Sequence, residues 1–241
     1  MSKYIFSHVD ITCPEGYEVI DNRTNQELDH RLFSEWAGID LLNKRFDKND
    51  EIRKGFNTHT DPEEIAKYTN PDWVTFAHYR RMPDPLCTNR IYIAQPIVLS
   101  GTVAQQYATC HFIEDLTVMG KAIKELYPQV VPFAEQVLNG NILVPYNIVT
   151  GPYGQIKDYM NFVLSVLKKV HEMLGNQSYE ERMEMISKRT VPEYDGRNND
   201  PTYQARIEAF LSERVSTIYW LRIAQQVPVY PLNIIKDKDV F

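Results

Sequence analysis

Cysteine is scarce: three residues in 241, at positions 13, 87 and 110. The number is odd and no C-x-x-C spacing occurs, so neither a disulfide framework nor a cysteine-rich zinc site is written into the chain. Long apolar runs are missing as well. No stretch of about 18 apolar residues exists, and the opening Met1-Ser2-Lys3-Tyr4-Ile5-Phe6-Ser7-His8 has no signal-peptide core. A cytoplasmic chain with no membrane span is expected. G-x-G-x-x-G, the Walker loop, G-x-S-x-G and H-E-x-x-H are all absent, which removes support for dinucleotide oxidoreductase, P-loop ATPase, α/β-hydrolase and zincin readings. Positive charge is short too: 26 Lys and Arg stand against 32 Asp and Glu, a formal −6. That excludes a surface that is wholly a nucleic-acid footprint and disfavours docking on anionic lipid, while allowing a local basic cleft.

What is present is an ordinary globular composition, 43% hydrophobic and 24% charged, with 15 Tyr. Tyr offers an apolar face and a polar tip, useful at sugar and nucleotide sites as well as in a core. A single domain over residues 1–241 suits the length. Short apolar runs predict strands at Tyr4–Val9, Asp72–Ala77, Ile91–Ile93, Ile97–Leu99, Ile142–Val149 and Val227–Pro231, the last at a sheet edge because of its prolines. Periodicity predicts helices over His30–Phe46, from Asp61-Pro62, and over Thr102–Cys110, Ile113–Tyr127, Val131–Leu138, Gln155–Leu174, Ser178–Lys188 and Thr202–Ile223, with a loop at Val191–Pro201. Strands alternating with helices make the class α/β.

The most informative segment is Trp73 to Arg81, a buried strand ending in His78-Tyr79-Arg80-Arg81. Ligands of open α/β sheets bind at strand carboxyl ends, and paired guanidiniums there suit a diphosphate; a structural Arg pair bonded to carboxylates is the alternative. His111 and Asp115, four apart, would share a helix face if the helix began by His111, and could cap it or bind a sugar. Arg206 and Glu213 lie seven apart on one long helix beside Arg214, where the acid could be a solvated-face residue or a general base.

Ile5-Phe6-Ser7-His8, Ser34-Glu35-Trp36-Ala37-Gly38, the Val74–Arg81 strand, Gln106-Tyr107 with His111 and Glu114-Asp115-Leu116, Lys124-Glu125-Leu126-Tyr127-Pro128, Tyr146-Asn147-Ile148, and Arg206 with Phe210-Leu211-Ser212-Glu213-Arg214 form an ordered set. Together they resemble, almost end to end, a bacterial family first catalogued as a domain of unknown function. That family is found in capsular and exopolysaccharide biosynthesis loci and is regarded as glycosyltransferases. The resemblance implies one Rossmann-like GT-A-type α/β domain that moves a sugar from a nucleotide-sugar donor, a UDP-sugar by expectation, to a hydroxyl of a glycan or polysaccharide.

It also implies roles. His8, His78, Tyr79, Arg80, Arg81, Arg206 and Arg214 would hold the donor. Glu35, His111, Tyr146 and Asn147 would face the acceptor, and Glu213, or else Asp115, would be the base. His-Tyr-Arg-Arg stands where such folds usually carry Asp-x-Asp, so no metal is expected as cofactor. The alternative is Mg²⁺ or Mn²⁺ on Asp84 or Asp115. Two other readings compete: a phage enzyme in the host cytoplasm that adds a sugar such as arabinose to 5-hydroxymethylcytosine in DNA, and a non-catalytic nucleotide-sugar-binding protein.

Overall fold

Short runs of β-branched and aromatic residues make the strands. In chain order they are β1 (Ser2–Ser7), β2 (Tyr17–Asp21), β3 (Trp73–His78), β4 (Arg81–Asp84), β5 (Ile91–Ala94), β6 (Ile97–Val98), β7 (Ile142–Leu143), β8 (Val149–Pro152) and β9 (Val229–Lys236). This is a computed structural model, which describes residues 1–84, 90–189 and 199–236, leaving aside the side chains of 84, 235 and 236. Cys87 and most of the expected Val191–Pro201 loop lie outside the described residues.

Strand β1 runs parallel to β2 on one side and to β3 on the other. The far edge of β3 carries β8, antiparallel, and then β4, which a tight turn folds back so that His78 faces Arg81. β8 continues to β5, β5 to β9, and β9 returns to β4, so five strands close a ring from which β1 and β2 project. The α/β class is therefore observed, but the sheet is mixed. Parallel pairing occurs in β2-β1-β3, the Rossmann-like part, and again between β5 and β9. The expected edge strand at Val227–Pro231 is also corrected: β9 pairs with β5 through Val229–Leu232 and with β4 through Asn233–Lys236. Each half engages one neighbour, so Pro231 lies where only one side of the strand is in a ladder.

The helices are α1 (His30–Phe33), α2 (Glu35–Lys54), α3 (Pro62–Lys67), α4 (Val103–Cys110), α5 (Glu114–Leu126), α6 (Val131–Asn139), α7 (Tyr153–Met173), α8 (Tyr179–Ser187), α9 (Pro201–Gln204) and α10 (Ile207–Ala224). Their starts follow local chemistry: Asp61 caps α3, and Thr102 and Ser178 form capping boxes with Gln105 and Glu181. α7 is the central support. Ile156, Tyr159, Met160, Val163, Val166, Leu167 and Val170 are fully buried along one stripe, packed against α2, α5 and α10. Burying each aliphatic side chain of the stripe contributes roughly 1.5–3 kcal/mol.

Three expected elements are broken. The helix over His30–Phe46 divides at Ser34, whose backbone sits at φ 54, ψ −130. The strand over Ile142–Val149 becomes β7 and β8, with Tyr146 at φ 61 between them. The helix over Thr202–Ile223 divides at Ala205-Arg206 into α9 and α10. All three breaks open onto the same space.

Candidate functional site

That space is a cavity of about 460 Å³ at the carboxyl ends of β1 and β3. Phe6, Ala77 and His78 contribute from the strand ends, Arg80 from the turn after β3, and Arg81 from the start of β4. The first break supplies Ser34 and Glu35, the second Tyr146 and Asn147, and the third Arg206. α10 adds Phe210, Glu213 and Arg214, while Gln106 and His111 come from α4 and its end. A parallel sheet edge is where backbone termini and chain crossings leave a crevice, so the location is physically ordinary for a ligand site.

Four guanidiniums and two carboxylates line it. Arg81 lies over the Tyr146 ring at 4.1 Å and Arg80 over Tyr79 at 5.0 Å. Both contacts hold a planar cation at the mouth without neutralising it. Arg206 donates to Ser34 Oγ at 3.0 Å. Arg214 is buried, donating to Phe210 O at 3.0 Å, to Glu213 Oε2 at 3.2 Å and to Gln106 Oε1, and it covers the Tyr107 ring. Glu213 Oε1 accepts the Tyr146 backbone N–H at 3.1 Å, which fixes the left-handed residue in place. Asn147 donates to Glu35 at 2.7 Å and accepts from Ser216 and Tyr159. For the Glu35 carboxyl, burial is the largest influence and pushes upward. His78 and the donor groups of Ser34 and Asn147 outweigh it and hold the group below its usual range.

The two histidines of the cavity have opposite tautomers. The Arg80 backbone N–H can only donate, and it points at His78 Nδ1 at 3.1 Å, so the ring proton of His78 is on Nε2. Burial first, then Arg80, Arg81 and His8, push His78 from 6.5 to about 4, against the pull of Glu35. His111 falls to about 4 as well, through burial and then Arg214, opposed by its bond to Gln204. We take both rings as neutral at pH 7 and Glu35 as charged. Asp115 moves the other way, raised by burial to about 6 although Arg189, Tyr107 and Arg182 counter it.

These shifts give a pH prediction. A depressed imidazole contributes stability that is complete above about 6.5 and is lost as pH falls toward 4. Raised Asp115 does the reverse: its contribution is complete below 3.8 and is lost as pH rises through about 6. Between about pH 6 and 5, two histidines outweigh one carboxyl by about one proton. Stability should therefore drop by about 1.4 kcal/mol per pH unit on acidification. Urea unfolding across that window measures it; a flat or rising profile would contradict the burial of these rings.

Three expected site residues stand apart from the cavity wall. His8 packs edge-on to Tyr79, rings 5.0 Å apart, with Tyr79 Oη 3.4 Å from His8 Nε2, so both lie behind Arg80 at the rim. Asp115 is buried beneath Tyr107, which donates to it at 3.2 Å, and Arg189 Nη1 is 3.7 Å away. It does not share a helix with His111: α5 begins at Glu114, and His111 ends α4 in extended conformation. Arg206 likewise reaches the cavity from a helix break, not from the face of a continuous helix with Glu213.

Cys110 and Tyr203 line the cavity without having been singled out as candidates, and Ser34, Gln106 and Phe210 entered only as members of motifs. Only Ser34 carries a visible physical signature, a conformation that glycine favours. Ser34→Ala and Ser34→Gly both lose the bond to Arg206, but only glycine relieves the backbone. Ser34→Gly should be the more stable by roughly 1–3 kcal/mol in urea unfolding. Equal stabilities would mean the conformation carries no strain.

Residues 83–191 match a family model described as a domain of unknown function (DUF4422). The match covers fewer than half of the residues; it includes Gln106, His111, Asp115, Tyr146 and Asn147 but neither His78–Arg81 nor α10. The support it lends is narrower than the near end-to-end resemblance. No curated protein matches the sequence. Among solved structures, the apo form of the bifunctional glycosyltransferase WbbM superposes with a TM-score of 0.63 at 10% identity, over 99% of this chain and 45% of that one. The chain therefore shares a fold with that protein and spans less than half its length. No helix among the described residues is long and apolar enough to cross a membrane.

Proposed function

We propose that the chain is a glycosyltransferase that moves a sugar from a nucleotide-sugar donor to a hydroxyl acceptor. The observation that carries this is the gathering of Arg80, Arg81, Arg206 and Arg214 with Glu35 and Glu213 in one cavity of an otherwise acidic protein. The fold shared with WbbM supports it, as does the parallel β2-β1-β3 trio, the part of a GT-A-type domain that would cradle the nucleotide.

When a nucleoside diphosphate leaves the anomeric carbon, negative charge grows on its bridging oxygen. Arg80 and Arg81, at the mouth and free of carboxylate partners among the described residues, are placed to receive that charge. Glu213 then takes the acceptor hydroxyl proton, its two oxygens held in position by Tyr146 N–H and Arg214. A divalent ion fits poorly beside them. No three His, Cys, Asp or Glu side chains converge among the described residues, and the guanidiniums would repel a dication.

Calorimetry with UDP tests the reading. Wild-type protein should bind it, and Arg80→Ala or Arg81→Ala should weaken binding by about ten- to a hundredfold, as expected for one charge-assisted hydrogen bond. Unchanged affinity in both variants would leave the pair with a structural role only.

A further inference from the structure

His111 is wired more tightly than a packing residue needs to be. The Cys110 carbonyl can only accept, so the group of Gln204 that lies 2.8 Å from it is Nε2, and the other end of that amide is Oε1. Oε1 lies 3.0 Å from His111 Nδ1 and can only accept in turn, so Nδ1 carries the ring proton. Phe210 stacks on the imidazole at 3.9 Å with planes 23° apart, Tyr107 lies at 4.8 Å, and Tyr203 is stacked farther out at 6.1 Å. The amide and the stacked rings hold the imidazole in this orientation. Nε2 is left as a bare acceptor: it has no protein partner among the described residues, and it is not one of the sealed-off polar atoms. Since His111 lines the cavity at the ends of β1 and β3, Nε2 is reached from there. The low proton affinity of the ring keeps it an acceptor at neutral pH.

We infer that His111 is a specificity residue, whose fixed Nε2 accepts a hydrogen bond from an N–H or O–H group of the bound ligand, with Gln204 as the residue that positions it. This rests on the nucleotide-sugar reading. A carbonyl or ring nitrogen presented at that point would meet a lone pair, and the site would reject it. Two groups of such a ligand have the required chemistry: an imide N–H of the base, as at N3 of uracil, and a ribose hydroxyl.

The experiment compares UDP with N3-methyl-UDP on wild type, His111→Phe and Gln204→Leu, alongside nitrogen-15 spectra of the histidine rings. In the spectra of the free protein, His111 should show a protonated Nδ1 and an unprotonated Nε2. The reverse tautomer would overturn the inference whether or not UDP binds. If wild type prefers UDP by about three- to tenfold and His111→Phe erases the preference, the donor is the base N–H. If His111→Phe weakens both nucleotides equally by that factor, the donor is a hydroxyl. Affinity unchanged in His111→Phe overturns the inference while leaving the glycosyltransferase reading intact. Failure of wild type to bind UDP counts against that reading instead. Gln204→Leu keeps the ring but frees its tautomer, so it should show part of the same loss and a mixed Nε2 signal, which a packing role alone would not produce.

Discussion

Glu213→Gln lowers turnover by about 10²–10⁴ and leaves UDP affinity within about threefold, if Glu213 is the base. The substitution is nearly isosteric. Its amide oxygen can still accept the Tyr146 N–H that Oε1 now accepts at 3.1 Å, so the left-handed turn at Tyr146 is preserved. What is lost is the charge beside Arg214 and the ability to take a proton. Asp115→Asn is the matched control. Asp115 lies behind Tyr107 and outside the cavity, so its variant should cost less than about tenfold. Single-turnover transfer or slow donor hydrolysis reads both. If Asp115→Asn abolishes turnover and Glu213→Gln does not, the base acts through a rearranged Tyr107 and the assignments exchange.

Glu208→Ala should cost about 3–5 kcal/mol of stability, the usual consequence of stranding a buried charge. Glu208 and Arg182 are both completely buried and joined by two bonds, at 2.9 and 3.2 Å, with His171 Nδ1 a further 2.9 Å from Glu208. This cluster ties α8 and α7 to the first turn of α10, the helix that carries Phe210, Glu213 and Arg214. Without the carboxylate, Arg182 keeps only Gln177 as a side-chain partner among the described residues. For a chain of this length the melting temperature should fall by roughly 2–4 °C per kcal/mol. Combining Arg182→Met with Glu208→Leu should recover most of the loss, because a well-packed apolar pair removes both desolvation costs. Chemical denaturation of the single and double variants decides it. A loss below about 1 kcal/mol in Glu208→Ala would show that water reaches the pair, as at the exposed Arg31–Glu180 contact.

The legible parts of the molecule were those set by neighbours along the chain. Apolar periodicity placed α4, α5, α6 and α7 within a few residues, because a helix face repeats locally whatever it packs on. The Trp73–Ala77 run marked β3 and delivered Arg80 and Arg81 to a sheet edge, since a fully apolar strand must end where polar residues meet solvent. Acidic overall charge with an Arg pair at that edge was enough to suggest an anion site. The three breaks were not legible. Ser34, Tyr146 and Arg206 are neither Gly nor Pro, and one residue's change of φ or ψ does not disturb the apolar pattern on either side. Reading through them put Arg206 and Glu213 on one helix, and the helix start that would have let His111 share a face with Asp115 does not occur, because α5 begins at Glu114.

By itself, then, the sequence determined the α/β class, most element positions, and the identity of the arginines and of Glu213 as residues needing an explanation. Tertiary structure alone decided the closed five-strand ring, because its pairings join strands as far apart as β4 and β9. It decided that Asp115 is a buried partner of Tyr107 and Arg189, since burial is a property of what packs around a group. The pairing of His111 with an amide 93 positions away was also decided there. A hydrogen-bond chain of that kind exists only once the backbone has brought its members within 3 Å, and no local spacing in the sequence encodes that distance.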